Sequence, residues 1–197
     1  IRGHELSDLY FIRHGPTHLK SMVGWSDVPA DLSDEAKIER LCKYLPDNGK
    51  MISSDLKRAR DTADALKLDH ERLPDEANLR EIHFGDWELK LFAEIEKTDH
   101  DRVFAFYDTP GQTSAPNGES WDGFCQRTDQ AIDDLMNAYP EQALIIVVHF
   151  GVIVSQIQRA EGGGAKHAMR HKIDNFSLTH LRYSESGWTI NKLNFSA

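Results

Sequence analysis

The chain has 197 residues, with 23 Lys and Arg against 32 Asp and Glu, a formal net charge of −9. That length suits one domain, or one with a cap, and is ample for a buried core. So acidic a surface repels phosphate backbones and anionic lipid head groups, which argues against nucleic-acid and membrane partners.

The first five residues, Ile1 to Glu5, lack the apolar core of a signal peptide. Leu9 to Ile12 is a short apolar run of the kind found in buried strands, ending in Arg13-His14-Gly15. Ser33 is placed to N-cap a helix over Asp34 to Tyr44, whose apolar positions are Ala36, Ile38, Leu41 and Tyr44. Met51-Ile52 reads as a second strand, and Asp55 as the cap of a helix over Arg58 to Leu66. A further probable strand should precede Glu81, which leads into the aromatic segment His83 to Trp87. Thr109 to Glu119 is rich in Pro, Gly, Ser and Asn and reads as a loop. Trp121 to Ala138 has helical spacing, and Ala143 to Val148 is the longest apolar run, far short of the ~20 residues that span a bilayer. Helices over Val152 to Arg159 and Ala165 to Arg170 follow, then strands at Ser177 to Tyr183 and Trp188 to Leu193. Gly162-Gly163-Gly164 lacks the continuation of a phosphate loop and reads as a flexible turn. Alternating strands and helices imply an α/β fold, a three-layer α/β/α sandwich with a mostly parallel central sheet. Two cysteines, Cys42 and Cys125, offer neither a disulfide framework nor a CxxC site, and the chain reads as cytoplasmic.

Ligands of such sheets bind beyond the carboxyl ends of the strands. Arg13-His14 sits at one such end and His149-Phe150-Gly151 at another. A neutral imidazole is a nucleophile near neutral pH, and a neighbouring guanidinium holds oxyanions. Gly15 frees the backbone for a close approach to ligand or a positive φ. Arg58, early in its helix, suits bidentate phosphate binding, with Arg60 a rival and pairing to Asp55 or Asp61 the plainer alternative. His149 can donate to an anion or be a satisfied core histidine. Glu81, in apolar surroundings, would have a raised pKa suited to proton donation, or be a charged loop residue. Two His-xxx-His spacings, His14/His18 and His167/His171, suggest metal ligands, but the first follows a strand and the second has no carboxylate or thiolate in its own segment. No metal and no cofactor are expected.

In chain order, Leu9-Tyr10-Phe11-Ile12-Arg13-His14-Gly15, Gly24-Trp25-Ser26-Asp27-Val28-Pro29, Ser53 to Ala59, Leu79 to Glu88, Gly118-Glu119-Ser120 and His149 resemble the motifs of the histidine phosphatase superfamily, of phosphoglycerate mutase-like fold. The resemblance runs from Leu9 to about Leu193. It implies one domain over residues 1–197, with residues about 85–120 as a cap-like insertion. It also implies His14 as nucleophile, Glu81 as proton donor, and Arg13, Arg58 and His149, the last as an imidazolium, as phosphate ligands. Pro16, Lys20 and Phe150 depart from the usual pattern, and Phe150 would crowd or shape the entrance. Gly85-Asp86-Trp87-Glu88 and Asn117-Gly118-Glu119-Ser120 look most like α-ribazole phosphatases and broad small-molecule phosphatases. Phosphoglycerate mutases grip a second acidic group with extra cations, whereas here Phe92 falls near the expected lysine and Asp101-Arg102-Val103 offers one arginine. The expectation is therefore a metal-independent phosphomonoesterase acting through phosphohistidine, its substrate a small phosphomonoester such as α-ribazole 5′-phosphate. A mutase and a non-catalytic phospholigand-binding module are the alternatives, and a homodimer is left open.

Overall fold

A computed structural model describes residues 6–66 and 68–197, so the residues read above for a leader, 1–5, lie outside it. Six strands are present: β1 (Ser7–Arg13), β2 (Lys50–Ser53), β3 (Glu71–Arg72), β4 (Leu144–Val148), β5 (Leu178–Ser184) and β6 (Gly187–Phe195). They form one sheet in the order β3-β2-β4-β1-β5-β6. The pairs β3–β2, β2–β4 and β4–β1 are parallel, and β1–β5 and β5–β6 are antiparallel. The helices are α1 (Glu35–Cys42), α2 (Lys57–Ala65), α3 (Phe92–Asp108), α4 (Trp121–Ala138), α5 (Phe150–Glu161) and α6 (Ala165–Ala168). Among the described residues no helix is long and apolar enough to cross a membrane.

Side chains of a strand alternate between faces, and here each face has its own core. Leu9, Phe11, Leu144, Ile146 and Val148 point to the face covered by α4 and α5, where they pack with Phe124, Ile132, Val152 and Ile153. Ile12, Ile145 and Val147 point to the other face and pack with Ile38 and Leu41 of α1 and Ala63 of α2. All five residues of β4 are buried because both faces are covered, which is why it reads as an unbroken apolar run. The three-layer α/β/α sandwich holds.

Several local expectations change. Asp34, not Ser33, caps α1 by accepting the Lys37 N–H at 3.1 Å. The Ser33 amide instead donates to the Asp31 carboxylate. Asp55 does not cap α2, because Arg80 takes both its oxygens at 2.7 and 2.5 Å. Leu56 stands at that cap without a side-chain bond. The residues just before Glu81 form a single 3₁₀ turn, Ala77–Leu79, rather than a strand. Residues 85–120 contain a 3₁₀ turn at Gly85–Trp87 and the unforeseen helix α3. Charged residues break up the apolar spacing of α3, and non-helical torsions at Asp99 kink it, with the Trp87 indole donating to Asp99 at 3.2 Å. Even so, Trp87, Ile95, Val103 and Phe106 bury into the same core as α4 and α5. The helix expected to Arg170 ends two residues early, at Ala168, and Met169 and Arg170 follow it as a turn whose amides bond back to Ala165 and His167.

Candidate active site

The carboxyl ends of β1 and β4 lie side by side, so Arg13 pairs in register with Val148 and the residues that follow each strand meet. His14 leaves β1 with its amide still bonded to the Val148 carbonyl at 3.0 Å. Its Nδ1 lies 2.6 Å from the Gly15 carbonyl, which can only accept, so Nδ1 carries the proton. Nε2 is thereby left as the lone-pair nitrogen, and the Arg58 Nε–H donates to it at 3.2 Å. Burial, then the positive charge of Arg58, pulls the His14 pKa down to about 3. The imidazole is neutral at physiological pH.

Arg58 is 1% exposed, yet it is not a packing residue. Its Nη1 donates to the Ser26 carbonyl at 3.0 Å and its Nη2 to Gly24 at 2.7 Å. Of the plainer partners, Asp55 is held by Arg80 and Asp61 by Lys57. The glycine loop that Arg58 grips is pinned by Glu88. This one carboxylate accepts from the amides of Gly24, Trp25, Ser26 and Phe84 and from the Ser26 hydroxyl. Burial pushes the Glu88 pKa up, but those donors outweigh it and hold the group below the usual carboxylate range. Thr62 closes the arrangement by donating to the Arg58 carbonyl at 2.7 Å and accepting the Gly15 amide at 3.0 Å.

His149 stands at the N-terminus of α5 with its ring edge-on to His14, centroids 5.1 Å apart. It is fully buried, and neither ring nitrogen has a hydrogen-bond partner. Burial, then the charge of Arg58, holds its pKa well below that of a free imidazole. It is a neutral imidazole here, not the imidazolium expected from the sequence. It is also not a satisfied core histidine. Arg13 donates Nη1 to the Ile173 carbonyl at 2.6 Å, leaves Nε unpaired, and lies 5.5 Å over the Phe150 ring. Phe150 thus shelves a guanidinium as well as shaping the entrance.

Glu81 is buried opposite these groups. Its carboxyl accepts the Gly151 amide at 3.0 Å and the Ile82 amide at 2.9 Å, and burial raises its pKa. Gly151 is required by space, since a Cβ there would lie 2.2 Å from Glu81 Oε1. The backbone around Glu81 is held by the Trp25 indole, which donates to its carbonyl at 2.8 Å, and by Arg127, bridged to Glu119. Gly15 is explained differently from the expectation. Its φ is not positive, and protein rather than ligand comes close, with Phe176 at 2.6 Å from where a Cβ would sit.

All five sequence-predicted residues therefore converge. An apolar cavity of about 210 Å³ adjoins Glu81, lined by Ile82, Phe84, Phe106, Tyr107, Trp121 and Met169 among others. His18 does not join His14 but pairs with Asp31 on the surface. Arg60 does not compete with Arg58 for His14. The sequence reading carried Glu88 only inside a motif and gave no role to it or to Thr62, Arg127 and Ile173, whose parts depend on loops folding back. It also missed a carboxylate for His167 and His171, because Glu161 reaches them from the end of the preceding helix.

A family model of the histidine phosphatase superfamily (branch 1) matches residues 9–196. The adenosylcobalamin/alpha-ribazole phosphatase of Salmonella typhimurium is 30% identical over 190 residues, covering 92% of this chain and 88% of that protein. Phosphoglycerate mutase-like protein 4 of Arabidopsis thaliana is 28% identical over 196 residues, covering 94% of this chain and 84% of that protein. Among solved structures, YhfR of Bacillus stearothermophilus matches with a TM-score of 0.86 at 24% identity, over 97% of this chain and 98% of that one, a likeness of fold.

Proposed function

The chain belongs to the histidine phosphatase superfamily, and on that footing we propose that it hydrolyses a small phosphomonoester, without a metal ion, through a phosphohistidine on His14. The observation that carries this reading is the His14 ring, neutral, with Nδ1–H committed to Gly15 and the Nε2 lone pair facing Arg58. Nε2 attacks phosphorus in line. Arg13, Arg58 and one N–H of His149 hold the phosphoryl oxygens, and the arriving dianion raises the pKa of both imidazoles as charge builds. Glu81, whose pKa burial raises, gives a proton to the departing ester oxygen. It then takes a proton from the water that cleaves the P–N bond, which returns His14 to its neutral form.

Two fixed guanidinium groups supply the positive charge that a metal provides elsewhere. The aromatic and aliphatic cavity beside Glu81 favours a substrate whose organic part is uncharged and includes an apolar portion, with α-ribazole 5′-phosphate the first candidate to test. A panel of phosphorylated metabolites assayed for phosphate release in EDTA tests the reading. Release by the wild type, and an acid-labile phosphoenzyme absent from His14→Ala, are expected. Activity abolished by EDTA and restored by a divalent ion would overturn the metal-free mechanism. Interconversion of 2- and 3-phosphoglycerate without phosphate release would overturn the phosphatase reading.

A further inference from the structure

Away from the residues that line the cavity beside Glu81, Glu161, His167 and His171 bring one ligand atom each to within 4.8 Å of one another. Helix α5 ends at Glu161 because Gly162 takes a left-handed conformation (φ 64°), and the glycine turn sends the chain back so that α6 passes over that end. His171 Nε2 lies 2.9 Å from one oxygen of Glu161 and His167 Nε2 lies 3.7 Å from the other. The two rings meet edge-on, centroids 5.8 Å apart.

With both rings neutral, the cluster is two imidazole nitrogens and a carboxylate carrying a single negative charge. That set suits a borderline transition ion such as zinc, with a fourth position open to water. The nearby cations do not occupy it, since Lys166 pairs with Asp108 and Lys172 with Asp174. Donors bound to zinc at about 2.0–2.1 Å in tetrahedral geometry sit roughly 3.4 Å apart. The exposed His167 ring at the end of α6 and the half-buried His171 ring just after it can close the remaining gap by side-chain rotation.

We propose that Glu161, His167 and His171 form a zinc-class metal site, separate from the phosphoryl site, that ties the end of α5 to the segment following α6. That segment matters to the active site, because Met169 lines the cavity beside Glu81 and the Ile173 carbonyl holds Arg13. The ion's role is structural: it adds no charge at the phosphoryl site, so the site variants, which cannot hold it, should still hydrolyse phosphomonoesters in EDTA.

The test is calorimetric titration of ZnCl₂ into the metal-stripped full chain, compared across wild type, His167→Ala, His171→Ala and Glu161→Gln. His100→Ala, which removes another surface histidine beside a carboxylate, is the control for adventitious binding. One saturable ion per chain is expected in wild type and in the control. The three site variants should bind at least about tenfold more weakly, since even changes to groups one layer beyond a metal's own ligands cost that much. Melting temperature should rise with zinc in wild type and in the control, and not in the three site variants at the same zinc concentration. Cobalt(II) should give the intense visible bands of a four-coordinate site, lost in His171→Ala. Zinc binding that is absent in wild type, or unchanged in the site variants, would overturn the proposal.

Discussion

Replacing Glu88 by Gln tests whether the phosphate-binding arginine is positioned by a loop that a single carboxylate holds. Oε1 of Glu88 accepts from the amides of Trp25 and Phe84, and Oε2 from the amides of Gly24 and Ser26 and the Ser26 hydroxyl. A glutamine keeps one oxygen, so whichever way it turns, at least two of these donors face an NH₂ group. At about 1–3 kcal/mol for each donor left unsatisfied, the fold should lose roughly 2–4 kcal/mol once partial exposure and loop relaxation are allowed for. For a chain of this size that is a fall of about 4–16 °C in melting temperature. The functional effect runs through Gly24 and Ser26, whose carbonyls hold both terminal nitrogens of Arg58. Shifting that loop by about 1 Å re-aims the guanidinium and should cost on the order of 100-fold in kcat/KM. The assay is p-nitrophenyl phosphate hydrolysis alongside thermal unfolding. Because the Glu88 pKa is depressed in the fold, its contribution is present above the unfolded value of 4.5 and is lost as pH falls through the lower folded value. The variant should lack that part of the acid sensitivity. Unchanged kcat/KM with a lowered melting temperature would refute the positioning argument and leave Glu88 a stability residue.

Gly151→Ala places a methyl group 2.2 Å from Glu81 Oε1, so turnover of alkyl phosphates should fall by roughly 10²–10⁴ while inhibition by vanadate persists; steady-state kinetics with both measures checks this. Glu81→Gln should slow alkyl esters far more than aryl esters, whose oxygen leaves without a proton, and comparing glycerol phosphate with p-nitrophenyl phosphate reads the difference. His14 and His149 are both held neutral, so the unfolded chain binds protons that the fold refuses, and stability should decline as pH drops below about 6.5. Urea unfolding at a series of pH values should show a shallower decline in His149→Asn.

Much of this site was legible because strand ends and short motifs are local. The run Leu144–Val148 reads as a two-sided buried strand, and once β1 and β4 pair in parallel, His14 and His149 must emerge together. The positions of Arg13 and Arg58 follow from similarly local patterns. What the sequence hid depends on loops that cross the molecule. Glu88 stood in a motif with no role of its own, yet most of its partners lie some sixty residues earlier. Asp55 looked like a helix cap because no local feature announces that Arg80 will claim it. Helix α3 escaped notice because its apolar residues are interrupted by charges and its axis bends at Asp99.

The expectation that His149 would be an imidazolium fails for a reason that also clarifies the chemistry. Burial disfavours whichever form of a group is charged, so a single desolvated pocket lowers the pKa of an imidazole and raises that of a carboxyl. Here it acts on His14 and Glu81 at once. A neutral imidazole is the nucleophilic form, and a neutral carboxyl is the proton-donating form. The same desolvation therefore moves both groups toward the states that the proposed first half-reaction uses. Only Arg13 and Arg58 must stay charged, and guanidinium keeps its proton under desolvation where an ammonium or imidazolium would not. Placing a lysine at position 58 would lose more than the fork that reaches Gly24, Ser26 and His14. It would put a group whose charge burial readily removes at the one place where fixed charge is needed.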